Sequence, residues 1–217
     1  MNIAGVLTAI TDRVRDCNAI IAQEGSWRGL GRIVKEVLPL PFRSIEYVVV
    51  AQLLTEPIIV PQPRLPITIR LATIADLDRF DGIATFSEIK AYVKRFARGH
   101  ICFIALHQDQ LVGYNWVTPE VDPELEGAPV RLQPGDAYVG YAFMVPAYRG
   151  QGIMPALIAH RSRYLQERGY QRVIAIADVK NQAVLATCRK VGYREIDRAT
   201  FQRILWWRTF RYHGSNS

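Results

Sequence analysis

The sequence feature that most constrains the fold is a glycine-rich turn between a strand pattern and a helix pattern, within residues 145–157 (VPAYRGQGIMPAL). Apolar and aromatic residues precede the turn, and apolar residues at helical spacing follow it over residues 156–169. Gly150 and Gly152 carry no Cβ, so a ligand can approach the backbone closely. The first helical turn leaves amide donors unpaired and suits an anion, phosphate above all. Many such turns use glycine without any ligand, so the turn alone leaves both interpretations open.

Composition predicts a globular chain with an anionic partner. The 217 residues are 49% hydrophobic, which is enough to bury the core of one domain with an extension. The net charge of +7 fits nucleic acid, an acidic membrane surface or an anionic small ligand. Beyond residue 181, seven basic side chains face only two acidic ones. Because the sequence has no interleaved basic and aromatic stripe and no recognised reader motif, we predict no nucleic-acid partner.

Cysteine usage and hydropathy predict a cytoplasmic protein without a metal site. Cys17, Cys102 and Cys188 are widely spaced, with no Cys-x-x-Cys and no nearby histidine pair, so neither a zinc site nor a disulfide framework is predicted. Charged residues interrupt the N-terminus before any long apolar run, which argues against a signal peptide. No window reaches about 18 uninterrupted apolar residues, so we expect no membrane span.

The N-terminal part of the chain predicts two helices. Apolar residues recur at three- and four-residue steps over residues 3–21, which places them on one helical face. A second helix is predicted over residues 27–38, where prolines end it. The apolar face either packs on its own subunit or forms a homodimer contact through residues 3–38.

A proline cluster predicts the domain boundary. Residues 45–54 favour a buried strand, and four prolines then follow within residues 57–66, which indicates a stiff, non-helical linker. We therefore predict an extension of two helices and a strand over residues 1–62, followed by a second domain over residues 63–217.

Strand and helix patterns alternate in the second domain, which predicts the α/β class. Strands are expected at residues 67–71, 101–106, 111–117, 138–145, 172–178 and between 193 and 212, with helices at 73–80, 88–98, 156–169 and 181–191. Ser87 and Glu88 are expected to open the second of these helices. The acidic, proline-rich residues 118–135 predict a long surface loop, either solvated or lining the entrance for a cationic acceptor.

The order of these elements and two motifs resemble the GNAT superfamily of acyl-CoA-dependent N-acyltransferases, over residues 67–212. The family's pyrophosphate motif, Gln or Arg followed by x-x-Gly-x-Gly or Ala, falls on residues 149–154. A second signature, Asn followed by a helix that ends in Gly-Phe or Gly-Tyr, falls on Asn181, Gly192 and Tyr193. The resemblance implies a mixed, mostly antiparallel central sheet flanked by helices.

The resemblance implies that a coenzyme A thioester binds at the glycine-rich turn and the strand before it. The amides of residues 151–154 would hold the pyrophosphate, and the strand would pair with the pantetheine arm. Either Val145 or Met144 would donate an amide to the thioester carbonyl. The implied cofactor-binding residues are Phe143, Met144, Val145, Arg149, Gly150, Gln151, Gly152, Ile153, Met154 and Asn181.

Several of these positions keep a second interpretation. Asn181 either holds the pantetheine or caps the following helix, and both are compatible. Arg149, Arg189 and Lys190 either meet the nucleotide phosphates or are solvated. Met154 departs from the Gly or Ala of the motif but still provides an amide.

The catalytic half of the site matches the family less well. Many members carry a tyrosine that is thought to protonate the leaving thiolate where this chain has Cys188, which either acts as an acid or packs in the helix. Strand alternation places Tyr141 on one face with Phe143 and Val145, beside the acceptor if that face lines the pocket. The catalytic candidates are therefore Tyr141 and Cys188, and the other candidates for proton removal are Asp136, Tyr138 and Asp178.

The resemblance implies an N-acetyltransferase of the GNAT type. We expect it to move an acetyl group from acetyl-CoA to a primary amine of a small molecule or peptide by direct attack. The alternative is a catalytically silent acyl-CoA-binding module in which residues 1–60 provide an interaction surface.

Overall fold

The computed structural model describes residues 42–118, 132–204 and 207–213. The two predicted N-terminal helices, the dimer contact predicted for residues 3–38 and most of the acidic loop at 118–135 lie outside the described residues. Within the described ranges, no helix is long and apolar enough to cross a membrane.

Eight strands of the described residues form one mixed sheet in the order β2-β3-β4-β5-β6-β1-β7-β8. The strands are β1 (Phe42–Leu53), β2 (Thr68–Leu71), β3 (Ile101–His107), β4 (Gln110–Thr118), β5 (Asp136–Met144), β6 (Arg172–Asp178), β7 (Arg194–Ile204) and β8 (Trp207–Tyr212). The pair β5 and β6 is parallel, whereas the other neighbouring pairs are antiparallel. The predicted mixed, mostly antiparallel sheet is therefore confirmed.

Strand β1 lies inside the sheet, between β6 and β7. Val49 faces Ile176 of β6 on one side and Asp197 of β7 on the other. Its apolar run is continuous because residues 48–51 are buried whichever face of the sheet they occupy. One compact unit contains the described residues of 42–72 and 100–213, so β1 belongs to the same unit as the rest of the sheet. The domain division after residue 62 remains a prediction.

Residues 73–99 belong to a separate compact unit. A 3-10 helix, Ile74–Phe80, and the helix α1, Phe86–Ala97, both begin with capping boxes. At the start of α1, the Glu88 carboxylate accepts from the N–H of Thr85 at 2.7 Å and the Thr85 hydroxyl accepts from the N–H of Glu88 at 3.3 Å. The predicted opening of this helix at Ser87 was wrong, because Thr85 is the residue whose hydroxyl reaches the third amide.

The described residues of the sheet unit also contain a short 3-10 helix, Pro146–Tyr148, and two α-helices, α2 (Ile153–Gln166) and α3 (Gln182–Lys190). α2 contacts β3 and β4, and its buried apolar side chains join the main core cluster. Leu157 and Leu165, eight residues apart on one helical face, have no exposed surface. This packing fixes the N-terminal end of α2 relative to the end of β5.

Residues 54–66, called the strap below, connect β1 to β2 and run along α2. Three hydrogen bonds join the strap to α2: Gln166 Nε2 donates to the carbonyls of Leu54 (2.6 Å) and Glu56 (2.8 Å), and Arg163 Nη2 donates to the carbonyl of Ile58 (3.0 Å). A fourth joins it to the turn before α2, where the N–H of Arg64 donates to the carbonyl of Gln151 at 2.9 Å. The strap is non-helical, as predicted. Its backbone is fixed at both ends of α2.

Candidate active site

Strands β5 and β6 pair over a short length and then separate. Their register runs from Asp136 opposite Arg172 to Val139 opposite Ala175. Beyond this point β6 continues to Asp178 while pairing with β1, and β5 continues while pairing with β4. One backbone edge of the second half of β5 therefore faces a gap between the two strands. A backbone edge of this kind can pair with an extended ligand as it would with another strand.

A β-bulge at Tyr141 marks the point where the strands separate. Gly140 and Ala142 pair with consecutive residues of β4, so Tyr141 has no residue opposite it there. The φ of Tyr141 is 51°, in the left-handed region, and half of the side chain is exposed (50%). The regular strand alternation from which Tyr141 was placed with Phe143 and Val145 is interrupted by this bulge, so the shared face of the three residues remains a prediction.

The end of β5 directs one amide into the gap. The N–H of Val145 donates to the carbonyl of Val112 in β4 at 2.9 Å. Successive residues of a strand point their amides to opposite sides, so the amide of Met144 points away from β4. The Met144 carbonyl accepts from Arg149 Nε at 3.2 Å, in agreement with this direction. Of the two amides considered for a thioester carbonyl, Val145's is used within the sheet and Met144's faces the gap.

The turn between β5 and α2 presents a row of unpaired amides. Gly150 and Gly152 both have a φ of 78°, a backbone angle that residues with a Cβ rarely adopt. Gly152 is the N-cap of α2, so the helix begins at Ile153, before its predicted start. Within the part of the chain that the structure describes, the amides of residues 151–154 find no hydrogen-bond acceptor. A Cβ added to Gly150 would meet nothing within 4 Å, so the turn borders open space.

Asn181 caps α3, as one of its two interpretations predicted. Its Oδ1 accepts from the N–H of Val184 at 3.2 Å, and the residue is exposed. Arg189 and Lys190 lie exposed in the last turn of α3, where their charge is favourable to the helix dipole, and Arg189 Nε donates to the carbonyl of Leu185 at 3.3 Å. These side-chain hydrogen bonds of Asn181 and Arg189 are thus made within α3.

A family model described as the Acetyltransferase (GNAT) family matches residues 71–193 of this chain. The match covers more than half of the 217 residues and includes both the turn and the Asn181 helix. The chain belongs to the GNAT acetyltransferase family. No curated protein matches it by sequence.

Solved structures have the same GNAT fold. A GNAT-family acetyltransferase from Colwellia psychrerythraea is 15% identical over 74% of this chain and 56% of its own, with a TM-score of 0.57. A GCN5-related N-acetyltransferase from Sphaerobacter thermophilus is 16% identical over 84% of this chain and 58% of its own, with a TM-score of 0.56. A Drosophila protein is 14% identical over 85% of this chain and 59% of its own, with a TM-score of 0.54. The chain thus spans between 56% and 59% of these proteins. At such identities the likeness shows the fold alone.

Cys188, at the position where many GNAT proteins have tyrosine, is a packed thiol. It is 8% exposed and belongs to the main core cluster. Burial raises the pKa of the Cys188 thiol, and the nearby positive charge of Arg161 offsets this only in part. The thiol is therefore protonated at neutral pH. Its role as an acid remains a prediction.

Asp136 is held in an ion pair between β5 and β6. Arg172 Nε and Nη2 donate to its two carboxylate oxygens at 2.9 and 2.7 Å, and the N–H of Gln133 donates at 2.8 Å. Burial by itself would raise the pKa of Asp136, but the hydrogen bonds and charge of Arg172, with the Gln133 amide, lower it further than burial raises it. A carboxylate with a lowered pKa is a weak base, so Asp136 joins the two strands and is a poor catalytic candidate.

Asp136→Asn is expected to lower the free energy of unfolding by about 2 kcal/mol at pH 7, because it leaves a half-buried Arg172 without its counter-charge. The pKa of Asp136 is lower in the folded than in the unfolded chain. Its stabilising effect is therefore complete above about pH 4 and is lost as the pH falls through the folded pKa. Urea unfolding of both proteins from pH 7 to pH 3 measures this. A difference that stays constant over the range would contradict it.

Two of the remaining candidates for proton removal lie beside the gap. Asp178 ends β6 beyond the last pair with β5, and its Oδ1 accepts from the N–H of Lys180 at 2.8 Å. Tyr141 lies in the bulge described above. Tyr138, in contrast, is 4% exposed and lies in the paired part of β5, opposite Ile174. The structure therefore places Asp178 and Tyr141 at the gap but not Tyr138.

A buried guanidinium that the sequence patterns did not predict lies behind this site. Arg161 of α2 is 2% exposed, and its Nη1 donates to Asn115 Oδ1 at 2.6 Å. Its Nη2 donates to the hydroxyls of Tyr193 (2.5 Å) and Ser162 (3.3 Å). Asn115 Nδ2 in turn donates to the carbonyl of Gly140, next to the bulge, at 3.3 Å. Hydrogen bonds thus connect α2 to the point where β5 leaves β6.

The signal for Arg161 was its place in the helical pattern. It lies four residues from each of the fully buried Leu157 and Leu165, in the middle of an apolar stripe where a charge needs buried partners.

Burial raises the pKa of Tyr193 to about 12, although the charge of Arg161 acts in the opposite direction. The Tyr193 hydroxyl is therefore neutral and can accept the guanidinium hydrogen bond.

Proposed function

We propose that this chain is an N-acyltransferase that moves an acetyl group from acetyl-CoA to a primary amine of a small molecule or peptide. The observation that carries the proposal is the gap between β5 and β6, which lies next to a turn with four amides that have no acceptor among the described residues. A strand edge and a row of amides at a helix N-terminus suit, respectively, an extended amide-containing arm and a pyrophosphate. Membership of the GNAT family supports acyl-CoA chemistry in general.

The residues present fit a coenzyme A thioester. The amides of residues 151–154 would bind the pyrophosphate, since none has an acceptor among the described residues and Gly150 borders open space. The backbone of Phe143 and Met144 at the end of β5, with Val145 directly after them, would line the pantetheine arm. The exposed Asn181 keeps its proposed contact with the pantetheine, because only its Oδ1 serves as the helix cap. Bound in this way, acetyl-CoA supplies an activated acyl group with a thiolate as the leaving group.

The residues of the chain would contribute mainly positioning and polarisation. The Met144 amide would donate to the thioester carbonyl and stabilise the oxyanion that develops as the amine attacks. The attacking amine must lose a proton, and Asp178 or Tyr141 would accept it through water. The carbon–sulfur bond then breaks, and the thiolate is protonated by water or by the Cys188 thiol. Holding both reactants in the gap would supply much of the rate enhancement.

The test is thiol release from acetyl-CoA with a panel of amines, peptides and amino sugars, beside a direct measurement of coenzyme A binding. Binding together with turnover on at least one amine supports the proposal. Absence of binding would overturn the assignment of the turn. Binding without turnover on any acceptor would instead support the second candidate, a catalytically silent acyl-CoA-binding module. The buried, packed thiol of Cys188, where many family members have tyrosine, favours that candidate.

Cys188→Ala is expected to keep turnover within twofold of the wild-type value, because the thiol is buried among core side chains. Cys102→Ala is the matched control, since Cys102 is also a buried cysteine but lies in β3, away from the gap. Steady-state kinetics on both variants provide the comparison. A tenfold loss confined to Cys188→Ala, about 1.4 kcal/mol in barrier, would assign the acid role to Cys188.

A cytoplasmic location and a homodimer through residues 3–38 remain predictions from the sequence. The homodimer is tested by size-exclusion chromatography with light scattering. The measurement compares the full chain with a variant that carries a charge on the apolar face of residues 3–21.

A further inference from the structure

We propose that Arg64, on the strap, is an additional phosphate-binding residue of the coenzyme site. This inference rests on the function proposed above. Arg64 lies before residue 71, where the match to the GNAT family begins, so the family pattern does not assign it a role. It would add a second guanidinium, beside that of Arg149, to the backbone amides of the turn, and would favour carriers with a nucleotide over carriers without one.

The backbone of Arg64 is fixed on the phosphate turn itself. Its N–H donates to the carbonyl of Gln151 at 2.9 Å. A Cβ added to Gly152 would lie 3.5 Å from the Cα of Pro63, the residue before Arg64. The strap therefore lies against the same peptide units whose amides are unpaired. It uses a carbonyl of the turn and leaves the four amides without acceptors among the described residues.

The strap is also held on the other side of Arg64. The carbonyl of Pro66 is 2.8 Å from His107 Nδ1, and the His107 ring lies 5.7 Å from the ring of Tyr148, just before the turn. Pro63 and Pro66 each fix their own φ and restrict the residue before them. Arg64 is thus presented from a backbone with little freedom, which reduces the entropy lost on binding.

Charge and exposure suit a phosphate ligand. Arg64 is exposed, and among the described residues it has no acidic partner. The second arginine at the turn, Arg149, is tied by its Nε to the carbonyl of Met144 on the strand side. The two guanidinium groups therefore enter from different segments, the strap and the β5 end. Guanidinium groups bind phosphate oxygens through two parallel hydrogen bonds.

The experiment measures dissociation constants of coenzyme A and dephospho-coenzyme A for the wild type, Arg64→Gln and Arg64→Lys. Arg194→Gln is the matched control, because Arg194 is also an exposed arginine, located in β7 opposite Ala51. Each substitution keeps the backbone N–H, so the strap's bond to Gln151 is retained. We expect Arg64→Gln to weaken coenzyme A binding about tenfold, about 1.4 kcal/mol, and Arg194→Gln to change it less than twofold. Arg64→Lys keeps the charge, so its dissociation constant for coenzyme A should lie between those of the wild type and Arg64→Gln.

The dephospho compound identifies the phosphate. An equal loss with dephospho-coenzyme A places Arg64 on the pyrophosphate, and a loss restricted to coenzyme A places it on the 3′-phosphate; either result supports the proposal. Equal dissociation constants for Arg64→Gln and Arg194→Gln, with wild-type binding intact, would overturn this inference and leave the proposed function standing. A wild-type protein that does not bind coenzyme A would overturn both.

Discussion

Gly152→Asp is expected to weaken coenzyme A binding at least a hundredfold. Gly152 has φ of 78° and is the N-cap of α2, directly beside the unpaired amides. A side chain there costs about 1–2 kcal/mol of backbone strain, because left-handed φ crowds the Cβ against the backbone. A carboxylate at this point would also occupy the helix N-terminus and repel a pyrophosphate. Isothermal titration calorimetry with coenzyme A measures the loss.

Two control variants separate charge from strain in this experiment. The asparagine of Gly152→Asn has the shape of aspartate and tolerates left-handed φ, but it carries no charge. We therefore expect Gly152→Asn to lose less than about tenfold of its coenzyme A affinity. Gly169→Asp places the same carboxylate at another glycine, φ 82°, after the C-terminal end of α2, where an added Cβ meets nothing within 4 Å. Its coenzyme A affinity should equal that of the wild type. If Asp and Asn at position 152 bind equally well, the phosphate lies elsewhere.

Asn115→Leu is expected to lower the free energy of unfolding by about 3 kcal/mol, because it removes the acceptor of a buried guanidinium. Asn115 is 3% exposed, and its Oδ1 accepts from Arg161 Nη1 at 2.6 Å. Arg161 Nε already has no acceptor within the described residues, so leucine would leave a second donor of the same buried cation unpaired. Urea unfolding followed by circular dichroism gives the change.

Asn115→Asp is the informative partner of that variant. It keeps an acceptor for Arg161 and adds an opposite charge, while it loses only the hydrogen bond to the Gly140 carbonyl. We expect Asn115→Asp to lower the free energy of unfolding by about 1 kcal/mol or less. Equal destabilisation by Leu and Asp would mean that the shape of position 115, rather than the partner of Arg161, determines stability.

Local sequence patterns predicted the elements of the site well. The β6 bounds, residues 172–178, agree with the structure, and Asn181 caps its helix as predicted. The glycines at 150 and 152 both have the positive φ for which glycine is suited. These features depend on the chemistry of a few neighbouring residues, and a single sequence contains that information.

Features set by distant contacts were not predictable in this way. The bulge at Tyr141 arises from the pairing of β5 with β4, and the amide direction of Val145 depends on the same register. Arg161 needs partners from β4 and from Tyr193, the residue before β7, and no local pattern around Arg161 indicates which residues these are. The proline cluster predicted a linker, but its hydrogen bonds to α2 depend on where β1 and β2 enter the sheet.

The position of β1 affects the order in which the protein can fold during its synthesis. β1 leaves the ribosome before either of its neighbours exists, since β6 begins at Arg172 and β7 at Arg194. Until then, a strand rich in valine has two open edges, the state in which strands most readily pair with other chains. A shortened protein that begins at residue 63 would have the converse defect, because β6 and β7 would each lack the strand that joins them.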